Sequence, residues 1–160
     1  MKGIIVLAIK ELIESKFGED KWKEILIKAG IERQPIILPI SDFDDQVVLK
    51  VIEAIQKVLG ISREEVANAF GDYWVNEYSQ RVYGHLYKSH KDAKSFITAM
   101  DKVHYDMTKN MPNAHPPRFE YEWINDKTLI IHYKSSRNMI DFMIGLIKGV
   151  GKFYKENIEV

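Results

Sequence analysis

Hydrophobic residues recur at helical spacing over most of the first 110 positions of the chain. This periodicity predicts helices over residues 3–17, 20–29, 45–59, from Ser62 onward, and 92–110. Gly18, Gly30 and Gly60 follow three of these segments, where a helix is expected to end. We predict a loop or a broken helix for the polar and aromatic residues 79–91, and an extended linker for the proline-flanked residues 35–40.

The pattern changes after the prolines at positions 112, 116 and 117. Phe119, Tyr121 and Trp123 alternate with glutamates, which is the period of a β-strand. A turn at Asn125 and the next residue leads into a second strand over residues 128–134, so the pair is predicted to form a hairpin.

The last part of the chain returns to helical spacing over residues 138–150. Ile158 and Val160 indicate the start of a further strand, and we therefore expect the natural chain to continue past residue 160. The predicted fold class is α+β: a mostly helical N-terminal part, then a small antiparallel sheet with a crossing helix. Residues 1–160 are expected to form one domain.

Composition narrows the classes of function. The formal net charge is zero, since 23 basic residues balance 23 acidic ones, so neither nucleic acid nor an anionic membrane is an expected partner. No cysteine is present, which excludes disulfides, thiolate metal sites and cysteine nucleophiles. No apolar run reaches the ~18 residues that span a bilayer, and charged residues follow the short apolar start, so we expect a cytoplasmic protein.

His104 occupies an unusual position within an apolar stripe. It lies one helical turn from both Met100 and Met107, on the face that the spacing turns inward. Spacing alone favours a core histidine that is hydrogen-bonded to a backbone carbonyl. The alternative is a metal ligand directed into an apolar cavity. No other histidine stands at ligand spacing on this helix, which argues against zinc, whereas haem needs only one axial histidine.

A second group of polar side chains stands at the end of the second strand. Strand alternation puts Tyr133, Ser135 and Arg137 on one side. A phenol, a hydroxyl and a guanidinium together suit one or two carboxylates, or a phosphate. A solvent-facing strand end with an arginine ion pair is the simpler interpretation of these three residues taken alone.

The combination of these motifs resembles one family, the haem nitric oxide/oxygen-binding (H-NOX) domains. That family includes the haem domain of soluble guanylate cyclase and stand-alone bacterial sensors. The resemblance runs from residue 1 to residue 160. The matching segments are Met100-Asp-Lys-Val-His104, His115-Pro-Pro-Arg118, Tyr133-Lys-Ser-Ser-Arg137, Met143-Ile-Gly-Leu146, Met1-Lys-Gly-Ile-Ile5 and Phe70-Gly-Asp-Tyr-Trp74.

The resemblance implies a role for each of these residues. His104 would be the proximal ligand of a haem b iron, and Tyr133, Ser135 and Arg137 would bind the haem propionates. Pro117 would pack on the haem and bend it. Further haem packing is expected from Met100 and Ile5. The haem itself would be buried between the helical part and the sheet.

The resemblance also bears on the choice of gas. Oxygen-binding members carry a tyrosine at the position matched by Phe142, and phenylalanine has no donor for bound oxygen. We therefore expect a sensor that binds NO and CO and excludes O2. An oxygen-binding member that uses Trp74 or Tyr78 as its donor is the alternative. The predicted distal pocket comprises Trp74, Tyr78, Phe142, Met143, Leu146, Ile9 and Phe70, with Ile5 beside them.

The family's mechanism implies a switch in which NO weakens the bond from iron to His104. Release of His104 would free its helix and let the haem relax against Pro117. Because no segment resembles an output domain, the expected partner is a separate histidine kinase or diguanylate cyclase, and the chain is not expected to be an enzyme. Three other classes stay open: a haem enzyme, a binder of a lipid or bile pigment, and an interaction domain in which His104 is only a core residue.

Overall fold

Helices make up most of the chain, and a single hairpin provides the sheet. The computed structural model describes residues 1–160. The elements in order are α1 (Gly3–Phe17), α2 (Glu19–Lys28), α3 (Asp45–Leu59), α4 (Arg63–Tyr73), a π-helix (Trp74–Tyr78), α5 (Ser79–Lys88), α6 (Ala93–Thr108), β1 (Arg118–Asn125), β2 (Thr128–Lys134) and α7 (Ile140–Tyr154). The predicted α+β architecture is confirmed. None of the helices combines the length and the apolar character that a membrane crossing requires.

The helix ends follow from local chemistry. Asp44 precedes α3, and its carboxylate accepts a hydrogen bond of 2.7 Å from the backbone N–H of Gln46. Ser62 and Glu65 form a capping box at the start of α4, each side chain accepting from the other residue's backbone N–H. Gly60 ends α3 with a φ of 68°, a left-handed conformation that glycine adopts without steric cost.

Two segments differ from the sequence prediction. Residues 79–88 are helical, with a kink at Tyr83 where φ is −125° and ψ is 16°, so the broken helix is present and the loop is not. The predicted strand at Ile158 and Val160 is wrong, because these residues join no sheet. The chain folds back instead: the backbone N–H of Glu156 donates to the carbonyl of Gly151, and Ile158 packs on that glycine.

The hairpin pairs β1 and β2 antiparallel, in a register that sets Phe119 opposite Tyr133 and Tyr121 opposite Ile131. Partly buried residues alternate with exposed ones along β2 and over the first four residues of β1, whereas the last four residues of β1 are all exposed. The alternation follows from the strand period, which sends successive side chains to opposite faces. One face of the hairpin, which includes Phe119 and Tyr121, therefore packs against α6, and the other faces solvent.

The buried side chains form two clusters that share α7. The larger cluster lies among α1 to α4 and includes Trp22, Ile25 and Ile52, which are almost fully buried. The smaller one joins the π-helix, α5, α6 and α7 through residues such as Val75 and Phe96. α7 belongs to both because its apolar residues face two directions, and it therefore separates the two halves of the interior.

The backbones of α4 and α7 touch where three glycines meet. A methyl group added at Gly71 would collide with the backbone of Gly145, one at Gly145 with the carbonyl of Ala67, and one at Gly149 with the carbonyl of Gly71. Side chains at these positions would hold the helices apart, because the colliding atoms are backbone and cannot rotate away. The crossing therefore sets how closely the π-helix, which continues α4, approaches α7.

We expect Gly145→Ala to lower the free energy of unfolding by about 1–3 kcal/mol, the usual cost of overpacking a close contact. Gly84→Ala in α5 is the matched control, because its new methyl group would meet only the flexible Gln80 side chain at 3.5 Å. Urea unfolding followed by circular dichroism measures both variants. Equal stability of the two would show that the crossing tolerates extra volume.

Candidate functional site

An apolar cavity lies between α6, the inner face of the hairpin, α7 and the π-helix. The empty space measures about 560 Å³, part of it open to solvent. Thirteen of its 14 lining residues are hydrophobic, and His104 is the exception. The lining comprises Trp74, Val75, Tyr87, Phe96, Ile97, Met100, His104, Phe119, Tyr121, Ile131, Met143, Leu146, Ile147 and Val150.

The imidazole of His104 is held in this cavity without a well-aligned partner. Its Nδ1 atom is buried and makes no hydrogen bond, and the ring centroid lies 5.6 Å from that of Phe119. Burial lowers the pKa of His104, while the nearby Pro117 carbonyl and the Asp101 carboxylate act in the opposite direction. The ring is therefore favoured in its uncharged form, the form that binds metals.

These residues fit a haem better than a bare metal ion. No three His, Asp or Glu side chains converge in a way that could hold a metal by themselves. A haem brings four nitrogens and a large apolar surface, so it needs one imidazole and an apolar enclosure. The cavity supplies both, and the unpaired Nδ1 atom marks the imidazole as the polar group that a ligand would engage.

α6, which carries His104, is fastened to β1 by polar contacts one turn away. The Asp101 carboxylate accepts hydrogen bonds from the Arg118 guanidinium, at 2.8 and 2.7 Å, and from the Phe119 backbone N–H at 2.8 Å. The Tyr121 hydroxyl donates to the Ile97 carbonyl at 2.9 Å. The hydrogen bonds from Arg118, aided by that from Phe119, outweigh desolvation and lower the pKa of Asp101 to about 2.

Tyr133, Ser135 and Arg137 lie beside the cavity and are not part of its lining. The Tyr133 ring packs 6.0 Å, centroid to centroid, from Phe119, which does line it. The Ser135 hydroxyl accepts a hydrogen bond of 3.2 Å from the Arg137 backbone N–H. The Arg137 guanidinium is mostly buried, donates to the His115 carbonyl, and lies with its Nε atom 2.9 Å from the Asp45 carboxylate.

Asp45 is therefore the immediate partner of Arg137. Burial acts to raise the pKa of Asp45, but hydrogen bonds from the N-terminal amine of Met1 and from Arg137 outweigh it and lower that pKa. The carboxylate is thus kept ionised between two cations. An anionic ligand group that approached Arg137 would share the guanidinium with Asp45 or displace it.

The predicted distal residues divide between two places. Trp74, Met143 and Leu146 line the His104 cavity, as does Met100 from the predicted packing set. Phe142, Phe70 and Ile9 line a second apolar cavity on the other side of α7. Ile5 and Tyr78, which were also predicted to lie in the site, line neither cavity. Pro117 directly precedes β1.

Tyr78 is buried and does not line the cavity of His104. Its ring stacks on Trp74, with the centroids 5.5 Å apart, and the Arg81 guanidinium lies 4.9 Å over its other side. Burial raises the pKa of Tyr78, and the nearby Glu11 and Arg81 are the charges that act on its hydroxyl. The Tyr78 ring therefore lies beside the ion pair that Arg81 forms with Glu11.

The structure adds lining residues that sequence reasoning did not single out. Phe119 and Tyr121 follow the strand alternation that was recognised, so their common inward face was available as a signal. Tyr87 had no such signal, because its segment was predicted to be irregular, and only the α5 helix turns it inward. Its hydroxyl is engaged with Ser79 Oγ at 2.7 Å.

Comparison with known proteins identifies the family. The profile described as Haem-NO-binding matches residues 2–160. The chain belongs to this family. Membership of the H-NOX domains, predicted from the motifs around His104 and Arg137, is confirmed.

The relatives include soluble guanylate cyclases and solved H-NOX domains. The chain is 25% identical over 156 residues to soluble guanylate cyclase gcy-32 of Caenorhabditis elegans, covering 95% of this chain and 23% of that protein. It therefore spans about a quarter of the length of that cyclase. Identity to gcy-35 of the same organism is 25% over 153 residues, covering 94% of this chain and 22% of that protein.

Solved H-NOX structures share the fold over nearly the whole chain. A Cs H-NOX mutant superposes with a TM-score of 0.87 and 29% identity, covering 99% of this chain and 85% of that one. The I5F mutant of T. tengcongensis H-NOX gives 0.85 and 30%, covering 99% and 86%. An oxygen-binding H-NOX domain, solved as its oxygen complex, gives 0.83 and 29%, covering 99% and 84%.

We expect Asp101→Asn to weaken the junction between α6 and β1 and to lower the free energy of unfolding near neutral pH by about 1 kcal/mol, because this ion pair is partly exposed. The pKa of Asp101 is lowered from 3.8 to about 2, so its contribution is present above pH 3.8 and is lost as the pH falls towards 2.

The measurement is urea unfolding of the wild type and the variant at pH 5 and pH 3, and the difference between them should shrink at the lower pH. Asp106→Asn on the same helix is the control, because Asp106 pairs only with the exposed side of the helix, at Lys102 and Lys109. If the difference in unfolding free energy between the wild type and Asp101→Asn does not change between pH 5 and pH 3, the lowered pKa of Asp101 is contradicted.

Proposed function

We propose that this H-NOX chain is a haem-based gas sensor that binds NO and CO, excludes O2, and signals to a separate protein. One observation carries the proposal. The imidazole of His104 is buried in an otherwise apolar cavity, with its Nδ1 atom unpaired. A buried polar group without a partner costs folding free energy, and a ligand that engages the ring offsets that cost.

Each proposed haem contact has a physical reason in this chain. His104 would ligate the iron, because burial keeps its ring uncharged. A haem b held there would supply a ferrous iron as the binding position for the gas. Arg137, with Tyr133 and Ser135, would bind the propionates, and the guanidinium would exchange its contact with Asp45 for them. Pro117, just before β1, would pack on the macrocycle.

We expect His104→Ala to purify without haem, or with an altered visible spectrum, because no other imidazole lines the cavity. His85→Ala is the matched control, since His85 is an exposed histidine in α5. The absorbance ratio of haem to protein measures retention, and circular dichroism shows whether the variant is folded. A folded variant with an unchanged spectrum would assign His104 to the core and remove the proposal.

Exclusion of O2 is supported by the hydrogen bonds that the hydroxyl groups around the cavity already make within the protein. The Tyr87 hydroxyl is bonded to Ser79 Oγ, and the Tyr121 hydroxyl donates to the Ile97 carbonyl. Phe142 has no donor. Trp74 is the exception, because it lines the cavity and carries an indole N–H. The oxygen-binding alternative therefore depends on Trp74.

The gas test is a visible absorption spectrum of the haem-loaded ferrous protein. We expect the spectrum to stay unchanged in air and to shift when NO or CO is added, because the hydroxyls of both tyrosines that line the cavity, Tyr87 and Tyr121, already make hydrogen bonds within the protein. A stable shift in air would contradict O2 exclusion. In that event Trp74→Phe should abolish the shift and Tyr78→Phe should leave it, since Tyr78 does not line the cavity.

The proposed signal is the release of His104 when NO binds. α6 is joined to β1 through Asp101, Arg118 and Tyr121, and Pro117 directly precedes Arg118. Movement of His104 would therefore act on the contact between these two elements and change the surface that they share. The proposed reader of that surface is a separate cytoplasmic histidine kinase or diguanylate cyclase, and the chain itself is proposed to be a non-catalytic sensor.

A further inference from the structure

Three aromatic rings and one guanidinium are stacked along the helical segment that runs from α4 into α5. The Phe70 and Trp74 rings stack with their centroids 5.9 Å apart, and the Trp74 and Tyr78 rings with theirs 5.5 Å apart. The Arg81 guanidinium lies 4.9 Å from the centroid of the Tyr78 ring. Phe70, Trp74, Tyr78 and Arg81 thus form an aromatic column, in which the indole of Trp74 is held between two other rings.

The outer end of the aromatic column is anchored to α1. Arg81 Nη2 donates to the Glu11 carboxylate at 2.6 Å, and the Tyr73 hydroxyl donates to the same oxygen at 3.2 Å. A guanidinium can pair through its N–H edge while its face lies over an aromatic ring. Arg81 is therefore fixed from two directions, by Glu11 at its edge and by Tyr78 at its face.

The backbone beneath the column is also constrained. The π-helix begins at Trp74 and ends at Tyr78. The side-chain amide of Gln80 donates to the Val75 carbonyl at 2.7 Å and so stabilises this wide turn. Turns of this kind are rare and are frequent at functional sites. With the backbone held, the freedom that remains to Trp74 is rotation of its side chain, which the stacked rings restrict.

Trp74 is the member of the column that reaches the site. It lines the His104 cavity, whereas Phe70, Tyr78 and Arg81 do not. The strength of a hydrogen bond from the indole N–H to a bound gas would depend steeply on distance and angle. A fixed indole therefore presents one polar environment to the gas, and an indole that turns freely presents several.

We propose that Tyr78 and Arg81, anchored by Glu11, hold the indole of Trp74 in one orientation at the cavity wall and in this way fix the polar environment that a bound gas meets. The inference rests on the proposed gas-sensing function. Tyr78 and Arg81 are positioning residues, because they act on the gas only through Trp74. Removal of the Arg81 guanidinium uncovers one face of Tyr78, and the Tyr78 and Trp74 rings then gain freedom to tilt.

Fluorine NMR of the protein labelled with 5-fluorotryptophan tests the positioning. The haem-loaded, CO-bound protein contains three tryptophans, and Trp74→Phe identifies the Trp74 resonance. We expect Arg81→Ala to shift, split or broaden that resonance and to leave those of Trp22 and Trp123 in place. Arg81→Lys should restore the wild-type resonance, because an ammonium can also lie over Tyr78 and pair with the anchoring carboxylate. An unchanged Trp74 resonance in Arg81→Ala would overturn the proposal.

The infrared C–O stretch of the same CO complex tests the consequence for the gas, because this frequency responds to donors near the bound ligand. We expect one narrow band for the wild type, and a split or broadened band for Arg81→Ala and for Glu11→Gln, which removes the anchoring charge. Lys88→Ala is the matched control, since Lys88 is an exposed cation on the same helix α5 and should leave the band unchanged. If Arg81→Ala alters the Trp74 resonance but not this band, the effect on the gas is refuted.

The column and the gas-sensing function fail in different ways. If the protein purifies without haem, the gas-sensing function fails, and the fluorine spectra of that preparation still decide whether Arg81 holds Trp74. If haem and CO are bound and the Trp74 resonance does not respond to Arg81→Ala, the sensor stands and the positioning role of the column is refuted.

Discussion

The close crossing of α4 and α7 is the constraint on which both cavities depend. Gly71 and Gly145 let the two backbones touch, and any side chain there would force the helices apart. With the two helices this close, some side chains of α7 line one cavity and some line the other. Met143 faces the cavity of His104, and its neighbour Phe142 faces the second cavity. α7 therefore lines the cavity of His104 and also separates it from the second cavity, so changes in its packing reach both spaces.

His104 and Asp101, at the two ends of one helical turn of α6, have different electrostatic environments. His104 is buried, and desolvation lowers its pKa, which favours a neutral imidazole that is available as a ligand. Asp101, one turn earlier, is held as a carboxylate by Arg118 and by the Phe119 backbone. The neutral imidazole of His104 therefore lies towards the cavity, and the charged carboxylate of Asp101 lies towards β1. Hydrogen bonds from Phe119 to Asp101 and from Tyr121 to Ile97 join the helix that carries His104 to β1.

Three polar side chains at or near the cavity are already paired within the protein. The Tyr121 hydroxyl donates to the Ile97 carbonyl, the Tyr87 hydroxyl shares a hydrogen bond with the Ser79 hydroxyl, and Arg137 faces Asp45. A gas in the cavity would therefore meet ring faces and methyl groups, apart from the indole of Trp74. Solved H-NOX domains of similar fold include an oxygen-binding one, so the fold alone does not fix the gas. We propose that the hydrogen-bond donors at the cavity wall decide the choice.

The sequence by itself determined the fold class, most helix positions and the family, because these depend on local periodicity and on motifs that are short along the chain. It also put His104 on an inward face, which needs only the period of a helix. Tertiary structure decided the rest. It turned Tyr87 inward from a segment that lacked periodicity, and it folded Ile158 back onto α7 instead of into a sheet. It also put Phe142 on the side of α7 that faces the second cavity. α7 packs against neighbours on both sides, and the angles at which they cross it set the side that each of its residues faces.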